Sequence, residues 1–227
     1  MNKISIIIPV FNEKSSLYEV VDNVKCTEFG LEKEIIIVDD CSTDGTKDLY
    51  GNIDNCIILC HEKNEGKGAA IRTGLKHATG DIIVIQDADL EYNPKDYIQL
   101  IDKIKSDEAD VVYGSRLINN NFDKFLILSY IANKFLSFLT RILYNAKLTD
   151  METCYKAFRA DIIKKIDIKS NRFDFEPEVT AKLLKQNIRL IELPISYNAR
   201  NVVQGKKIGF IDGIQAITTL IKYKFFD

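Results

Sequence analysis

Gly80-Asp81-Ile82-Ile83-Val84-Ile85-Gln86-Asp87-Ala88-Asp89-Leu90-Glu91 is an apolar run that stops abruptly at two carboxylates, two positions apart. The run from Ile82 to Ile85 has the length and continuity of a strand buried on both faces. Side chains at i and i+2 of an extended chain point the same way, so Asp87 and Asp89 can face one site. Two carboxylates held together repel each other and are costly to desolvate unless a cation lies between them. Oxygen ligands suit Mg²⁺ or Mn²⁺, and such sites commonly complete their shell with phosphate oxygens of the substrate. The stretch therefore predicts a metal-assisted site for a phosphorylated substrate. A solvated acidic turn after a strand is the other reading of so short a motif.

The same pattern repeats on either side. Lys3 to Val10, Glu34 to Val38, Cys56 to Cys60 and Ala109 to Tyr113 are further strand-like apolar runs. Between them lie segments of helical spacing: Leu17, Val20, Val21 and Val24, with Ser15 or Ser16 as a cap; a helix opened by Asp44-Gly45-Thr46; Ala69, Ala70, Leu75 and Ala78; and Tyr97, Ile98, Leu100, Ile101 and Ile104. Strands alternating with helices predict an α/β fold with a parallel sheet covered on both faces. Ligands of such open sheets bind beyond the carboxyl ends of the strands. The polar clusters fall there: Pro9-Val10-Phe11-Asn12-Glu13, Asp39-Asp40-Cys41-Ser42, Asp87-Ala88-Asp89 and Gly114-Ser115-Arg116. Four clusters converging on one rim weigh against the solvated-turn reading.

The chain of 227 residues has ample length for a core, and 31 basic against 33 acidic residues argue against a broad nucleic-acid-binding surface. Five scattered cysteines without a second ligand pair argue against a zinc site. Met1-Asn2-Lys3 leads straight into the first strand with no signal pattern, which predicts a reducing, cytoplasmic setting. After Arg116 the alternation breaks down. Residues 122–144 form a long aromatic-rich apolar stretch, interrupted by Lys134 and Arg141, charges that argue against a membrane span. Asn187 to Tyr197 reads as another strand. In the closing stretch 209–226, Ile211, Ile214, Ile217, Leu220 and Ile221 are expected on one face.

Asn64-Glu65-Gly66-Lys67-Gly68 through Gly74 has neither P-loop nor GxGxxG spacing. Its glycines would let backbone approach a nucleotide with Lys67 on its phosphates, or they open a helix and nothing more. Asp39-Asp40 sits where acidic residues of dinucleotide folds accept hydrogen bonds from base or ribose. Being adjacent on a strand, the two should have different jobs. Arg116 suits a diphosphate, or is a plain surface arginine.

Together Ser5-Ile6-Ile7-Ile8-Pro9-Val10-Phe11-Asn12-Glu13, Val38-Asp39-Asp40-Cys41-Ser42-Thr43-Asp44-Gly45-Thr46, Asn64 to Gly68 and Gln86-Asp87-Ala88-Asp89-Leu90 resemble the family-2 glycosyltransferases of the GT-A fold, in order and spacing, over residues 4–116. Asp87 to Glu91, Gly114-Ser115-Arg116 and Glu192-Leu193-Pro194-Ile195-Ser196-Tyr197 through Arg200 and Gly205-Lys206-Lys207 resemble the polyprenyl-phosphate (dolichyl-phosphate) hexosyltransferase branch. The second half matches more loosely, most clearly at Thr149-Asp150-Met151-Glu152-Thr153-Cys154-Tyr155-Lys156.

The resemblance implies a Rossmann-like, mostly parallel sheet flanked by helices, with C-terminal amphipathic helices. It implies one domain, with a nucleotide-sugar half at 1–116, an acceptor half at 117–200 and an amphipathic segment at 201–227. Pro9, Val10, Phe11, Glu13, Asp39, Asp40, Lys67, Asp87 and Ala88 would bind the nucleotide. Asp87, Asp89 and Glu91 would hold Mg²⁺ or Mn²⁺, and Asp89, Arg116 and Arg200 would act at the reacting phosphates. The implied reaction moves a hexose from a UDP- or GDP-sugar to a polyprenyl phosphate by one inverting displacement, with no nucleic acid involved. The family's C-terminal membrane helices have no counterpart in this sequence. The acceptor would then be met by a peripheral protein through residues 122–144 or 209–226, unless those stretches serve core packing or a homo-oligomer contact. A sugar-hydroxyl acceptor is the alternative; it needs a base, for which Glu176 and Glu178 are candidates, although acids at a helix start also simply favour its dipole. A nucleotide-sugar-binding protein without catalysis is the reading from another class, disfavoured by the intact pair Asp87 and Asp89.

Overall fold

A computed structural model describes residues 1–118, 127–199 and 210–226. Seven strands form one sheet: β1 (Lys3–Val10), β2 (Glu32–Asp39), β3 (Ile57–Cys60), β4 (Ile82–Ile85), β5 (Val111–Ser115), β6 (Lys156–Arg159) and β7 (Leu190–Pro194). Their order across the sheet is β3-β2-β1-β4-β6-β5-β7. Ile4, Ile6, Ile7 and Ile8 of β1, Ile36 to Val38 of β2 and Ile82 to Val84 of β4 are wholly buried, as expected of strands covered on both faces. Ser5, the polar residue in β1, donates its hydroxyl to Glu34 at 2.5 Å and accepts the Gly80 N–H at 2.8 Å, so its burial leaves nothing unpaired.

β1, β2, β3 and β4 run parallel, and β5 is parallel to β7. The sheet is mostly parallel, as expected, with one exception: β6 is antiparallel to both β4 and β5. Its four residues, Lys156-Ala157-Phe158-Arg159, are too few and too mixed to carry a strand pattern of their own. Its direction has a consequence for the site: the chain enters β6, through residues 149–155, at the rim where the parallel strands end.

Helices α1 (Leu17–Cys26), α2 (Lys67–His77) and α3 (Tyr97–Lys105) follow β1, β3 and β4. Ser16 occupies the N-cap position of α1 but makes no capping bond; its hydroxyl donates to the Glu13 carboxylate at 2.8 Å. The helix expected after Asp44 is a three-ten helix, Thr46–Asn52, entered through Gly45 at φ 89°. Three helices pack beyond the sheet: α4 (Ile127–Tyr144), α6 (Phe175–Leu184), which follows the short α5 (Ala160–Ile163), and α7 (Phe210–Phe225). Leu136, Met151, Ala181, Ala216, Leu220 and Tyr223 form a second apolar cluster among them.

The single apolar face expected in α7 is divided. Leu220 is buried, whereas Ile211, Ile214 and Ile221 are exposed, because Ala216, Leu220 and Tyr223 form the stripe that meets α4 and α6. On α4, Ile131, Phe135, Phe138 and Ile142 are likewise more than half exposed, at i, i+4, i+7 and i+11 of one face. No helix among the described residues is long and apolar enough to cross a membrane.

Candidate active site

Three of the loops at the carboxyl rim turn through a non-glycine residue with positive φ: Asn12 after β1 (55°), Cys41 after β2 (63°) and Leu90 after β4 (61°). That conformation is uncommon for any L residue and strained for leucine, so its surroundings must hold it. Around the first two, Asn12 N–H donates to Ser42 Oγ at 2.9 Å, Thr43 N–H donates to Asn12 Oδ1 at 2.7 Å and Glu13 N–H donates to Thr46 Oγ1 at 3.1 Å. Pro9 and Val10 end β1, and Phe11 and Glu13 lie on a loop knitted to the one after β2.

Asp39 and Asp40 do have different jobs. Asp39, wholly buried, accepts the Ser42 N–H at 2.8 Å and the Tyr50 hydroxyl at 2.5 Å. Burial and the adjacent Asp39 push the Tyr50 phenol well up from its ordinary value. Asp40 faces the glycine-rich loop: it accepts the N–H groups of Glu65 and Gly66 at 2.8 and 2.7 Å and lies 2.8 Å from His61 Nδ1. Both therefore shape the loops of the expected nucleotide site, whatever contact they also make with a ligand.

The glycines of that loop have a structural partner in the chain itself. A Cβ on Gly68 would lie 2.5 Å from the Ser170 carbonyl oxygen, and one on Gly66 would collide with the Asn171 carbonyl. Ala69 N–H donates to that Asn171 oxygen at 3.1 Å, and Arg72 donates to Asn171 Oδ1 at 2.6 Å. The close approach is that of the segment before α6, which brings Glu176 to the rim.

Lys67, the first residue of α2, is consequently shared by two carboxylates. Its Nζ lies 2.9 Å from Asp87 Oδ1 and 2.9 Å from Glu176 Oε1. Burial disfavours its charge, but Asp87 and Glu176 overcome that and hold its pKa well above the ordinary lysine value. Ala88 is buried beneath the loop, and Asp89 accepts the Glu91 N–H at 3.2 Å, which helps keep Leu90 in its left-handed turn. Asp87, Asp89 and Glu91 offer oxygen ligands alone. No group of three or more His, Cys, Asp or Glu among the described residues is arranged as a metal cage. A divalent ion here would take its remaining ligands from substrate or water, and Lys67 shows that a cation is accommodated against Asp87.

Arg116 is buried at the end of β5 and held as a fork: Nε and Nη2 each donate to Asp150 at 2.7 Å, and its own N–H donates to Asp150 at 2.9 Å. Asp150 is positioned in turn, with its N–H and that of Thr149 donating to Glu192 at 2.9 and 2.6 Å. The Tyr197 ring lies 5.1 Å from the Arg116 guanidinium carbon, and its hydroxyl donates to Glu91 at 2.9 Å. Tyr197 thus connects the loop after β4 to the arginine after β5.

Of the two candidate bases, Glu176 belongs to the Lys67–Asp87 group, whereas Glu178 does not. Glu178 accepts the N–H groups of Lys169 and Ser170 and the Lys182 ammonium at 2.7 Å. These bonds outweigh the burial that opposes its charge and bring its carboxyl down to about 2, far below the range of a general base at neutral pH. Arg200, with Gly205-Lys206-Lys207, lies outside the described residues. Asp150, Glu192 and the role of Tyr197 were not singled out in the sequence as site residues. Their blocks were visible as shared segments, but the pairing of Asp150 with Arg116 depends on β6 entering the sheet in reverse.

Residues 5–167 match the profile of glycosyl transferase family 2. The UDP-N-acetylglucosamine–dolichyl-phosphate N-acetylglucosaminyltransferase of Methanococcus voltae is 31% identical over 229 residues, covering 90% of each chain. The dodecaprenyl-phosphate galacturonate synthase of Rhizobium johnstonii is 29% identical over 99% of this chain and 67% of its own. Among solved structures, glucosyl-3-phosphoglycerate synthase of Mycobacterium tuberculosis, crystallised with Mn²⁺, UDP and glucosyl-3-phosphoglycerate, aligns with a TM-score of 0.74 at 18% identity, covering 98% of this chain and 80% of that one. That last likeness is one of fold.

Proposed function

We propose that this chain, which belongs to glycosyl transferase family 2, moves a hexose from a nucleoside diphosphate sugar to a polyprenyl phosphate at a membrane surface. The nucleoside would lie over the loops after β1 and β2, on Pro9, Val10, Phe11, Glu13, Asp39 and Asp40. The diphosphate would lie over Ala88 at the end of β4. Mg²⁺ or Mn²⁺, held by Asp87, Asp89 and Glu91, would supply charge neutralisation of the leaving diphosphate. Lys67 would then stand beside that group, and Arg116, braced by Asp150, would meet phosphate charge from the β5 side, with Arg200 expected to assist. An oxygen of the acceptor phosphate attacks the anomeric carbon as the bond to the diphosphate breaks, inverting the centre. Because that oxygen is already anionic, no proton needs to be removed, and positioning and charge stabilisation carry the catalysis.

The observation that carries the acceptor assignment is the state of the two candidate bases. Glu178 is held by two backbone N–H groups and Lys182, and Glu176 is paired to Lys67 at 2.9 Å. A hydroxyl acceptor needs a base, and a phosphate does not. The relatives from Methanococcus voltae and Rhizobium johnstonii, named for transfer to dolichyl or dodecaprenyl phosphate, support the same reading. So do the exposed apolar faces of α4 and α7, bordered by exposed Lys134, Arg141, Lys222 and Lys224, which suit the surface of an anionic membrane.

The test is transfer of radiolabel from UDP- and GDP-hexoses to polyprenyl phosphates with Mg²⁺ or Mn²⁺, followed by solvent extraction. Label in a lipid-soluble product is expected, and its absence across all donors counts against the assignment. Glu176→Gln should leave lipid transfer within a few-fold of the parent. Activity on sugar hydroxyls that Glu176→Gln abolishes would favour the alternative acceptor.

A further inference from the structure

Two buried side-chain oxygens among the described residues have no hydrogen-bond partner, and they belong to consecutive residues: Glu152 Oε1 and Thr153 Oγ1. Buried polar atoms are nearly always paired, so an adjacent couple left unpaired calls for an explanation. Poor local order is not that explanation, because the backbone around them is pinned. Thr149 and Asp150 N–H donate to Glu192, Met151 N–H donates to Ser137 Oγ at 3.0 Å, and Cys154 N–H donates to the Tyr92 hydroxyl at 3.3 Å. From within the fold, the Lys156 ammonium holds the carbonyls of Met151 and Thr153, on either side of Glu152. The backbone on either side is held, yet Glu152 Oε1 and Thr153 Oγ1 lack partners.

Their place in the sheet suggests what completes them. A nucleoside over β2 and β1 with its diphosphate over β4 points its sugar toward the next strand in the order, β6. Residues 149–155 are the chain that enters β6 at that rim. Burial acts most strongly on the Glu152 carboxyl, followed by the charges of Glu176, Lys156, Arg116 and Asp150. In the chain it follows Asp150, the partner of Arg116, by two residues, and precedes Cys154, whose N–H is held by the Tyr92 hydroxyl. A phosphate is a poor partner for a carboxyl in this position. A hydroxyl suits both orphans, since it donates and accepts at once.

We propose that Glu152 and Thr153 form the hexose-recognising edge of the donor site, hydrogen-bonding hydroxyl groups of the sugar to be transferred. The proposal rests on the donor assignment above and adds to it the residues that read the sugar. Glu152 and Thr153 then distinguish hexoses by the placement of hydroxyls, because a site built to bond a hydroxyl is left with unpaired groups when that hydroxyl is missing or misplaced.

The test is calorimetric titration, with MnCl₂ present, of UDP and GDP and of their glucose, galactose, mannose and N-acetylglucosamine conjugates, on the parent chain, Glu152→Gln, Glu152→Leu and Thr153→Val. The quantity read is the ratio of nucleotide-sugar affinity to nucleotide affinity. Glu152→Leu should lower that ratio about tenfold and Thr153→Val several-fold, as expected for losing hydrogen bonds to a hydroxyl. Both should leave the free nucleotide within about twofold. Removing a carboxyl with one buried, unpartnered oxygen should also leave the melting temperature close to the parent's. Glu152→Gln, equal in shape, should reorder the preference among the epimeric hexoses, and it carries the test if Glu152→Leu does not fold. Ratios and preferences unchanged in all variants overturn the proposal, as does a parallel loss of nucleotide and nucleotide-sugar binding, which would mark a structural role. A parent that binds nucleotides but no nucleotide sugar refutes the donor assignment itself, a different outcome recognisable without any variant.

Discussion

Lys67→Met removes a cation that Asp87 and Glu176 share, and its cost can be worked from the geometry. The ammonium lies 2.9 Å from each carboxylate, and the three side chains are 15, 20 and 5% exposed. Removing one member of a buried ionic group costs about 3–5 kcal/mol, because the remaining charges are left uncompensated. Methionine keeps most of the lysine stem volume, so little of this is a cavity effect. In a chain of this length each kcal/mol moves the melting temperature by about 2–4 °C, which places the variant roughly 6–20 °C below the parent in EDTA. A divalent cation at Asp87 should then return charge compensation. Saturating MnCl₂ should raise the melting temperature of Lys67→Met more than that of the parent, with a linked stabilisation of about 2.7 kcal/mol at a hundred times the dissociation constant. Differential scanning calorimetry with EDTA and with MnCl₂ measures both effects. A variant melting within about 2 °C of the parent in EDTA, or equal Mn²⁺ shifts in the two proteins, would refute the idea that lysine and metal serve the same carboxylate.

Asp150→Asn should cost roughly 3 kcal/mol in urea unfolding, since it strips the partner from a buried arginine, and steady-state kinetics should show turnover falling more than donor affinity. Glu178 sits at about 2 in the folded chain against an ordinary 4.5, so its stabilisation is present above pH 4.5 and is lost as the pH falls toward 2. Glu178→Gln should therefore lose roughly 3 kcal/mol at pH 7 and almost nothing near pH 2, as read from urea unfolding at the two pH values. Phe138→Asp, on the exposed face of α4, should change stability by less than about 0.5 kcal/mol yet reduce co-sedimentation with anionic vesicles; unchanged sedimentation would count against membrane contact by that face. Calorimetry of UDP and GDP on the parent should show binding at least tenfold weaker in EDTA than in MnCl₂, a dependence that Asp87→Asn should largely abolish.

The strands that carry the site were legible because each is a run with no polar alternation, and each ends in residues that cannot continue it. β1, β2 and β4 show this most clearly, and with them the placement of Asn12, Asp39, Asp87 and Asp89 at one rim. What could not be read was pairing across distance. Arg116 looks in the sequence like a cation available to phosphate, but in the fold it is braced by Asp150, 34 residues away. The glycines at 66 and 68 look like a cradle for a ligand, and the space they leave is filled by the backbone of Ser170 and Asn171. β6 escaped notice because a four-residue strand of mixed composition, inserted between β4 and β5, owes its existence to its neighbours. With it went the position of residues 149–155, and hence the significance of Glu152 and Thr153.

The charge arrangement argues for the order in which this site fills. Among the described residues considered at the rim, two cations, Lys67 and Arg116, stand with five carboxylates: Asp87, Asp89, Glu91, Asp150 and Glu176. Each cation is already paired, Lys67 with Asp87 and Glu176 and Arg116 with Asp150. Against these described groups alone a bare diphosphate would meet more negative than positive charge, and two cations that already have carboxylate partners. On the proposed donor assignment, a dication at Asp87 and Asp89 would reverse that balance and compete with Lys67 for Asp87, leaving the ammonium available to a phosphate. The pairing of Lys67 would thus keep a buried cation oriented at no great cost until a metal–nucleotide complex binds. Arg116 has no such release, because Asp150 is itself bonded to Glu192 through its backbone. Its fork stays fixed, which suits a group that must hold one phosphate geometry while the other side of the site changes occupant.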